Sequence, residues 1–177
     1  MSERLFFALV PGEVERDAIH RALEAAGGPG GRPMPRQNWH LTLRFLGNVD
    51  PDQRACLERA AARIRVAPFA LTLDHLGSWR GPGVAWLAPS AIPTHLTALN
   101  AASEAAALAC GLAADERPYR PHVTVARKAP ARETTELPEA VPWKATAFSL
   151  MASRRDSRGA VYREVSRWPL ATTAFPA

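Results

Sequence analysis

Residues 38–46 (Asn-Trp-His-Leu-Thr-Leu-Arg-Phe-Leu) alternate apolar and polar side chains. Period-2 alternation predicts a strand with one face in the core. Trp39, Leu41, Leu43 and Phe45 point inward on this reading, and Asn38, His40, Thr42 and Arg44 point outward. Further apolar runs predict strands at 4–10, 69–76, 84–88, 122–126, 146–152 and 161–167. Helical periodicity marks 13–26, with Val14, Ala18, Ala22 and Ala25 on one face. Asp50-Pro51-Asp52-Gln53 opens a second helix, because Asp50 can cap, Pro51 suits the first turn and Gln53 completes a capping box. Leu57, Ala60, Ala61 and Ile64 form its buried stripe. A long Ala-rich helix follows over 90–110, with Ile92, Leu96, Leu99 and Ala106 inward. The Gly- and Pro-rich stretches at 27–36, 77–83 and 129–143 read as loops and turns.

The order is strand, helix, His-bearing strand, helix, strand, strand, helix, His-bearing strand, strand, strand. Strands meeting in hairpins beside helices indicate an α+β fold. One His-bearing strand in each half suggests a loose duplication without visible sequence identity between the halves.

Composition narrows this little. The chain has 177 residues, 47% of them hydrophobic and 22% charged, with a net charge of +5. It is long enough for one domain with a sizeable core, and its basic balance favours anionic partners. Cys56 and Cys110 lie in predicted helices far apart in sequence, so neither a disulfide framework nor a cysteine metal site is expected. No signal segment or apolar span is visible, which makes a cytoplasmic setting without membrane attachment the expectation.

The chemistry sits in two matching tetrads, His40-Leu41-Thr42-Leu43 and His122-Val123-Thr124-Val125. In a strand, residues i and i+2 share a face about 7 Å apart. Each tetrad therefore offers an imidazole and a hydroxyl on one side and anchors itself by two apolar residues on the other. The string alone is weak evidence. His95-Leu96-Thr97-Ala98 repeats the pattern within a helix, where residues two apart are turned about 200° from one another and cannot face one ligand. His95 reads as a surface residue and Thr97 as incidental.

With these tetrads the sequence resembles the 2H phosphoesterase superfamily, and more narrowly the RNA 2′,3′-cyclic phosphodiesterases long called 2′-5′ RNA ligases. The resemblance covers nearly the whole chain. It is carried by RLFFALVP at 4–11, NWHLTLRFLG at 38–47, RPYRPHVTVAR at 117–127 and AVYREVSRWPL at 160–170. Val125 and Ala126 depart from the Leu often found there. The resemblance implies a single bilobal catalytic domain of two pseudo-symmetric, intertwined lobes. Each lobe would be an antiparallel sheet with flanking helices, the two sheets meeting at a central cleft. It further implies His40 as proton donor and His122 as proton acceptor, with Thr42 and Thr124 on the phosphate oxygens and Arg127 as a further anion contact.

Those roles suit the residue types. Opening a cyclic phosphate needs one group to accept a proton and another to supply one, and imidazole does both near neutral pH. Fixed hydroxyl donors stabilise the charge developing on the phosphoryl oxygens. Arg44 shares the parity of His40 and Thr42 and is a further candidate. Arg127 has the opposite parity to His122, so it must lie past the strand end to take part. Phe7, Trp79 and Tyr119 are candidates for stacking on a base, and the charged segment 154–158 for guiding an RNA backbone. The expected partner is RNA ending in a 2′,3′-cyclic phosphate, tRNA fragments included, bound by a monomer. No cofactor or metal is expected, since no carboxylate adjoins either tetrad. Three alternatives stay open: a related activity on small cyclic nucleotides, a non-catalytic module gripping RNA ends, and a metal-dependent phosphoesterase.

Overall fold

The computed structural model describes residues 1–172. The chain begins with β1 (Glu3–Leu9), α1 (Glu13–Ala25), the two-residue β2 (Arg32–Pro33), a 3₁₀ turn (Arg36–Asn38) and β3 (Leu41–Val49). It continues through α2 (Pro51–Ala61), β4 (Phe69–Trp79), β5 (Val84–Ala88) and α3 (Thr94–Ala109). It closes with β6 (Val123–Arg127), β7 (Thr135–Ala145), β8 (Ala147–Asp156) and β9 (Gly159–Pro169).

The expected α+β architecture is present. Where two sheets were expected, one antiparallel sheet runs β7-β4-β5-β6-β3-β1-β8-β9, with β2 added beside β6. A single ladder pair, Leu41 with Val123, joins β3 to β6 and so joins β7, β4, β5, β6 and β2 on one side to β3, β1, β8 and β9 on the other. The succession strand, helix, His-bearing strand occurs on both sides of this seam, as β1-α1-β3 and as β5-α3-β6. The helices are exchanged across it: α1 packs on β7, and α3 packs on β3 and α2. Leu5, Phe7, Leu9, Leu41, Leu43, Leu87, Val123 and Val125 fill one core with Ile19 and Leu23 of α1 and Leu96 and Leu99 of α3. The capping box at Asp50 forms as expected, the Asp50 carboxylate accepting from the Gln53 amide at 2.8 Å.

Several expectations are corrected. Val14 and Ala25 of α1 are exposed, and its buried stripe is Ala18, Ile19, Ala22 and Leu23. Ile92 lies before α3 and is also exposed. The stretch assigned as loop over 129–143 contains most of β7. Pro138 and Pro142 hide it in the sequence, yet among the described residues β7 is an edge strand paired with β4 alone, the position in a sheet that tolerates proline. Cys56 and Cys110 form a disulfide, contrary to expectation. Packing of α2 beside α3 brings their Cα atoms to 5.7 Å although 54 residues separate them in sequence. Among the described residues no helix is long and apolar enough to cross a membrane.

Candidate active site

The seam of the sheet builds the site. Leu41 and Val123 are fully buried and pair antiparallel. Carried one residue either way, that register sets His40 across from Thr124, and Thr42 across from His122. Neighbouring residues share opposite faces of a pleated sheet. With Leu41, Leu43, Val123 and Val125 in the core, the two imidazoles and two hydroxyls form a square on the other face. His95 and Thr97 of the decoy tetrad are exposed on α3, far from this arrangement in character and packing.

Both imidazoles are held in the same way. His40 Nδ1 lies 2.8 Å from the Asn38 carbonyl oxygen, and His122 Nδ1 lies 2.8 Å from the Arg120 carbonyl oxygen. A carbonyl can only accept, so each Nδ1 carries the proton and donates it. Each Nε2 is then left as the atom that takes up or releases a proton. Burial pushes the His40 pKa down from 6.5 to about 4, and the nearby charges of His122 and Arg127 push the same way, against the carbonyl bond that favours the cation. Burial lowers the His122 pKa too. Both rings are therefore neutral at pH 7.

A bulge in each His-bearing strand decides which neighbours reach the square. In β3, Phe7 pairs with Arg44 and Ala8 pairs with Thr42, so Leu43 is an extra residue. In β6, Ala85 pairs with Ala126 and Trp86 with Thr124, so Val125 is extra. An extra residue reverses the parity of the residues that follow it, in β3 as far as a second bulge at Leu46. Arg44 thus turns to the core side, only 8% exposed, with its guanidinium bonded to the Glu104 carboxylate of α3 and the carbonyls of Phe45 and Ala113. It borders the hollow beside His122, but its donors are engaged, which corrects the sequence parity. Phe45 takes the cleft side instead. The bulge at Val125 brings Arg127 to the cleft beside Thr124 and His40 without any need to pass the strand end.

Phe7 is corrected likewise. It is fully buried in the core, against Phe148 and Trp168. The adjacent Phe6 is the cleft residue, with its ring 4.8 Å from that of His40. The run 4–10 is apolar at both parities, so alternation carries no signal there. Tyr162 of β9 flanks His40 edge-on at 4.9 Å, and sequence reasoning missed it. Trp79 flanks His122 at 4.5 Å in the same edge-on manner. Tyr119 packs against the core and donates to the Thr42 carbonyl oxygen at 3.0 Å.

Two hollows open beside the square. One, of about 570 Å³, is lined by His40, Thr42, Thr124, Arg127, Phe6, Arg154, Arg155 and Tyr162 among others. The other, of about 760 Å³, includes His122, Thr42, Trp79, Arg117, Tyr119 and Arg120. Each has room for a nucleoside-sized group and not only for a phosphate. The polar groups facing inward are imidazole, hydroxyl and guanidinium. That set suits an anion undergoing proton transfer.

Two imidazoles and two hydroxyls share one face of an antiparallel α+β fold, and the comparisons assign the lineage. The family model described as the 2′-5′ RNA ligase superfamily matches residues 10–157. The chain belongs to that family. It is 35% identical to an RNA 2′,3′-cyclic phosphodiesterase of Escherichia coli over 95% of this chain and 97% of that protein. It is 30% identical to one of Thermus thermophilus over 94% and 90% respectively. The crystal structure of E. coli LigT complexed with 3′-AMP superposes with a TM-score of 0.85, at 34% identity, covering 96% of this chain and 99% of the other.

Proposed function

We propose that the chain hydrolyses the 2′,3′-cyclic phosphate at the 3′ end of RNA to a 2′-phosphomonoester. The observation that carries this reading is the square of His40, Thr124, His122 and Thr42 around one point of the cleft, set by the Leu41–Val123 pair.

His122 Nε2 accepts a proton from the attacking water, and His40 Nε2 supplies one to the departing 3′ oxygen. The P–O3′ bond breaks as the new P–O bond forms, and the phosphate remains on O2′. Thr42 and Thr124 donate to the non-bridging oxygens, with Arg127 as a further anion contact. The low pKa of His40 is set chiefly by burial. A bound phosphate anion opposes it by favouring the cation. Substrate thereby charges its own general acid. With a 5′ hydroxyl in place of water, the same step forms a 2′-5′ linkage with the proton roles unchanged, and the roles exchange when that linkage is cleaved back to the cyclic phosphate.

The remaining partners follow from this substrate: RNA ends, tRNA fragments among them, acted on by a monomeric enzyme in the cytoplasm. The test is incubation of an RNA bearing a 2′,3′-cyclic phosphate with the protein in excess chelator, followed by ³¹P NMR of the product. The expected product is the 2′-phosphomonoester. Binding without turnover, or a 3′-phosphate product, contradicts the reading.

A further inference from the structure

Arg4 is one of the few residues bordering both hollows, a property it shares with Thr42 and Phe45. It stands on the cleft face of β1, two residues from Phe6. Its guanidinium carbon lies 4.7 Å from the centre of the Phe45 ring, the geometry of a cation–π contact. The bulge at Leu43 is what delivers Phe45 to that place. Arg4 also lacks a carboxylate partner among the described residues. The acid next to it, Glu3, is bound instead to Arg54 and Arg163. A cation fixed in place by a ring, without a counterion, at the junction of two hollows is prepared for an anion.

Its distance from the reacting centre decides which anion. Thr42 pairs with Ala8, and Arg4 lies four residues back along β1, about 13 Å at the usual strand rise. The Phe6 ring that touches His40 and the Phe45 ring under Arg4 belong to a directly paired couple. One aromatic layer thus separates the guanidinium from His40. Arg4 stands beyond the oxygens assigned above to the two threonines and one step along a polynucleotide from them.

We propose that Arg4, seated on Phe45, binds the phosphodiester that joins the terminal nucleotide to its neighbour, so that the site selects oligonucleotide ends over mononucleotide cyclic phosphates. This rests on the reading of the site as an RNA cyclic phosphodiesterase. Arg4 is a specificity residue in this scheme. Phe45 positions it by limiting the rotamers of a long side chain, which lowers the entropy lost on binding.

The experiment compares kcat/KM for a mononucleoside 2′,3′-cyclic phosphate with that for a dinucleotide ending in the same group. It uses wild type, Arg4→Met and Arg4→Lys. Wild type is expected to prefer the dinucleotide. Arg4→Met keeps the aliphatic stem and removes the charge. It should lower the dinucleotide-to-mononucleotide ratio about tenfold, in the range expected for a charge-assisted hydrogen bond. Arg4→Lys should retain part of the preference. The slope of log kcat/KM against log salt for the dinucleotide should become shallower by about 0.7, one single-strand phosphate contact. An unchanged ratio in Arg4→Met overturns the proposal. So does an equal fall on both substrates, which would move Arg4 to the reacting phosphate or to the fold. Failure of the wild type on both substrates instead removes the underlying reading, and the proposal with it.

Discussion

Leu41 and Val123 form the one ladder pair between β3 and β6, and the whole arrangement of the site follows from it. Neither side chain faces the cleft. Their pairing registers two segments 82 positions apart so that each histidine stands across from the other segment's threonine. The nearly identical tethers, Asn38 carbonyl to His40 and Arg120 carbonyl to His122, then fix both rings in one tautomer.

The depressed pKa values of the two imidazoles give a pH dependence with a definite sign. For the free protein, His40, the proposed general acid, is protonated only near and below pH 4, and His122, the proposed base, also titrates below its ordinary value. Above about pH 6.5 the protonated fraction of His40 falls with each unit, so kcat/KM should fall about tenfold per unit. The limb in kcat should lie at higher pH, because bound phosphate raises His40. Initial rates across pH 4–9 check this, and a flat kcat/KM from pH 6.5 to 8 contradicts it. The same shift bears on stability. The folded pKa of His40 lies below its unfolded value, so its contribution is complete above about pH 6.5 and is lost as the pH falls towards 4. His40→Gln should flatten that part of the melting-temperature profile.

Arg44 is predicted to matter through the fold. Arg44→Met leaves the Glu104 carboxylate and the carbonyls of Phe45 and Ala113 without their donor. The pair is buried at Arg44 and half-buried at Glu104, and losing charge-assisted bonds of this kind costs about 1.5–3 kcal/mol. Arg44→Met combined with Glu104→Gln should recover part of that loss, because it removes the stranded charge and keeps an acceptor for the Asp115 amide. Urea unfolding of the two variants measures the difference. Equal stabilities contradict this account.

How much of this was legible in the sequence depends on where periodicity speaks. The alternation at 38–46 located His40, Thr42 and the core residues Trp39, Leu41 and Leu43 correctly. It failed one residue later. A bulge inserts no residue type of its own, and Leu43 and Val125 look like ordinary core positions, so the exchange of Arg44 for Phe45 and the recovery of Arg127 were invisible. Phe6 and Phe7 were indistinguishable because β1 is apolar on both faces. β7 was legible in principle, since Leu137, Val141, Trp143 and Ala145 keep one parity and are all buried, but its two prolines outweighed that signal. The partners of Cys56 and Tyr162 were set by packing between distant elements, on which local pattern is silent.

The Cys56–Cys110 bridge closes a long loop between α2 and the end of α3. Replacing both residues by serine should lower unfolding free energy by about 2–4 kcal/mol, chiefly by freeing the unfolded chain. Urea titrations of the oxidised wild type and the Cys56→Ser, Cys110→Ser double variant check this. Midpoints that coincide would show that the bridge carries no stability.

The account stands or falls on two imidazoles serving one phosphorus, and a double-mutant cycle on hydrolysis of a cyclic-phosphate RNA measures that directly. His40→Ala and His122→Ala should each lower kcat by about 10²–10⁴-fold. Because acid and base act in one step, the double variant should be little worse than the more damaged single one. Losses that multiply independently, or a single variant that retains the wild-type rate, would contradict it.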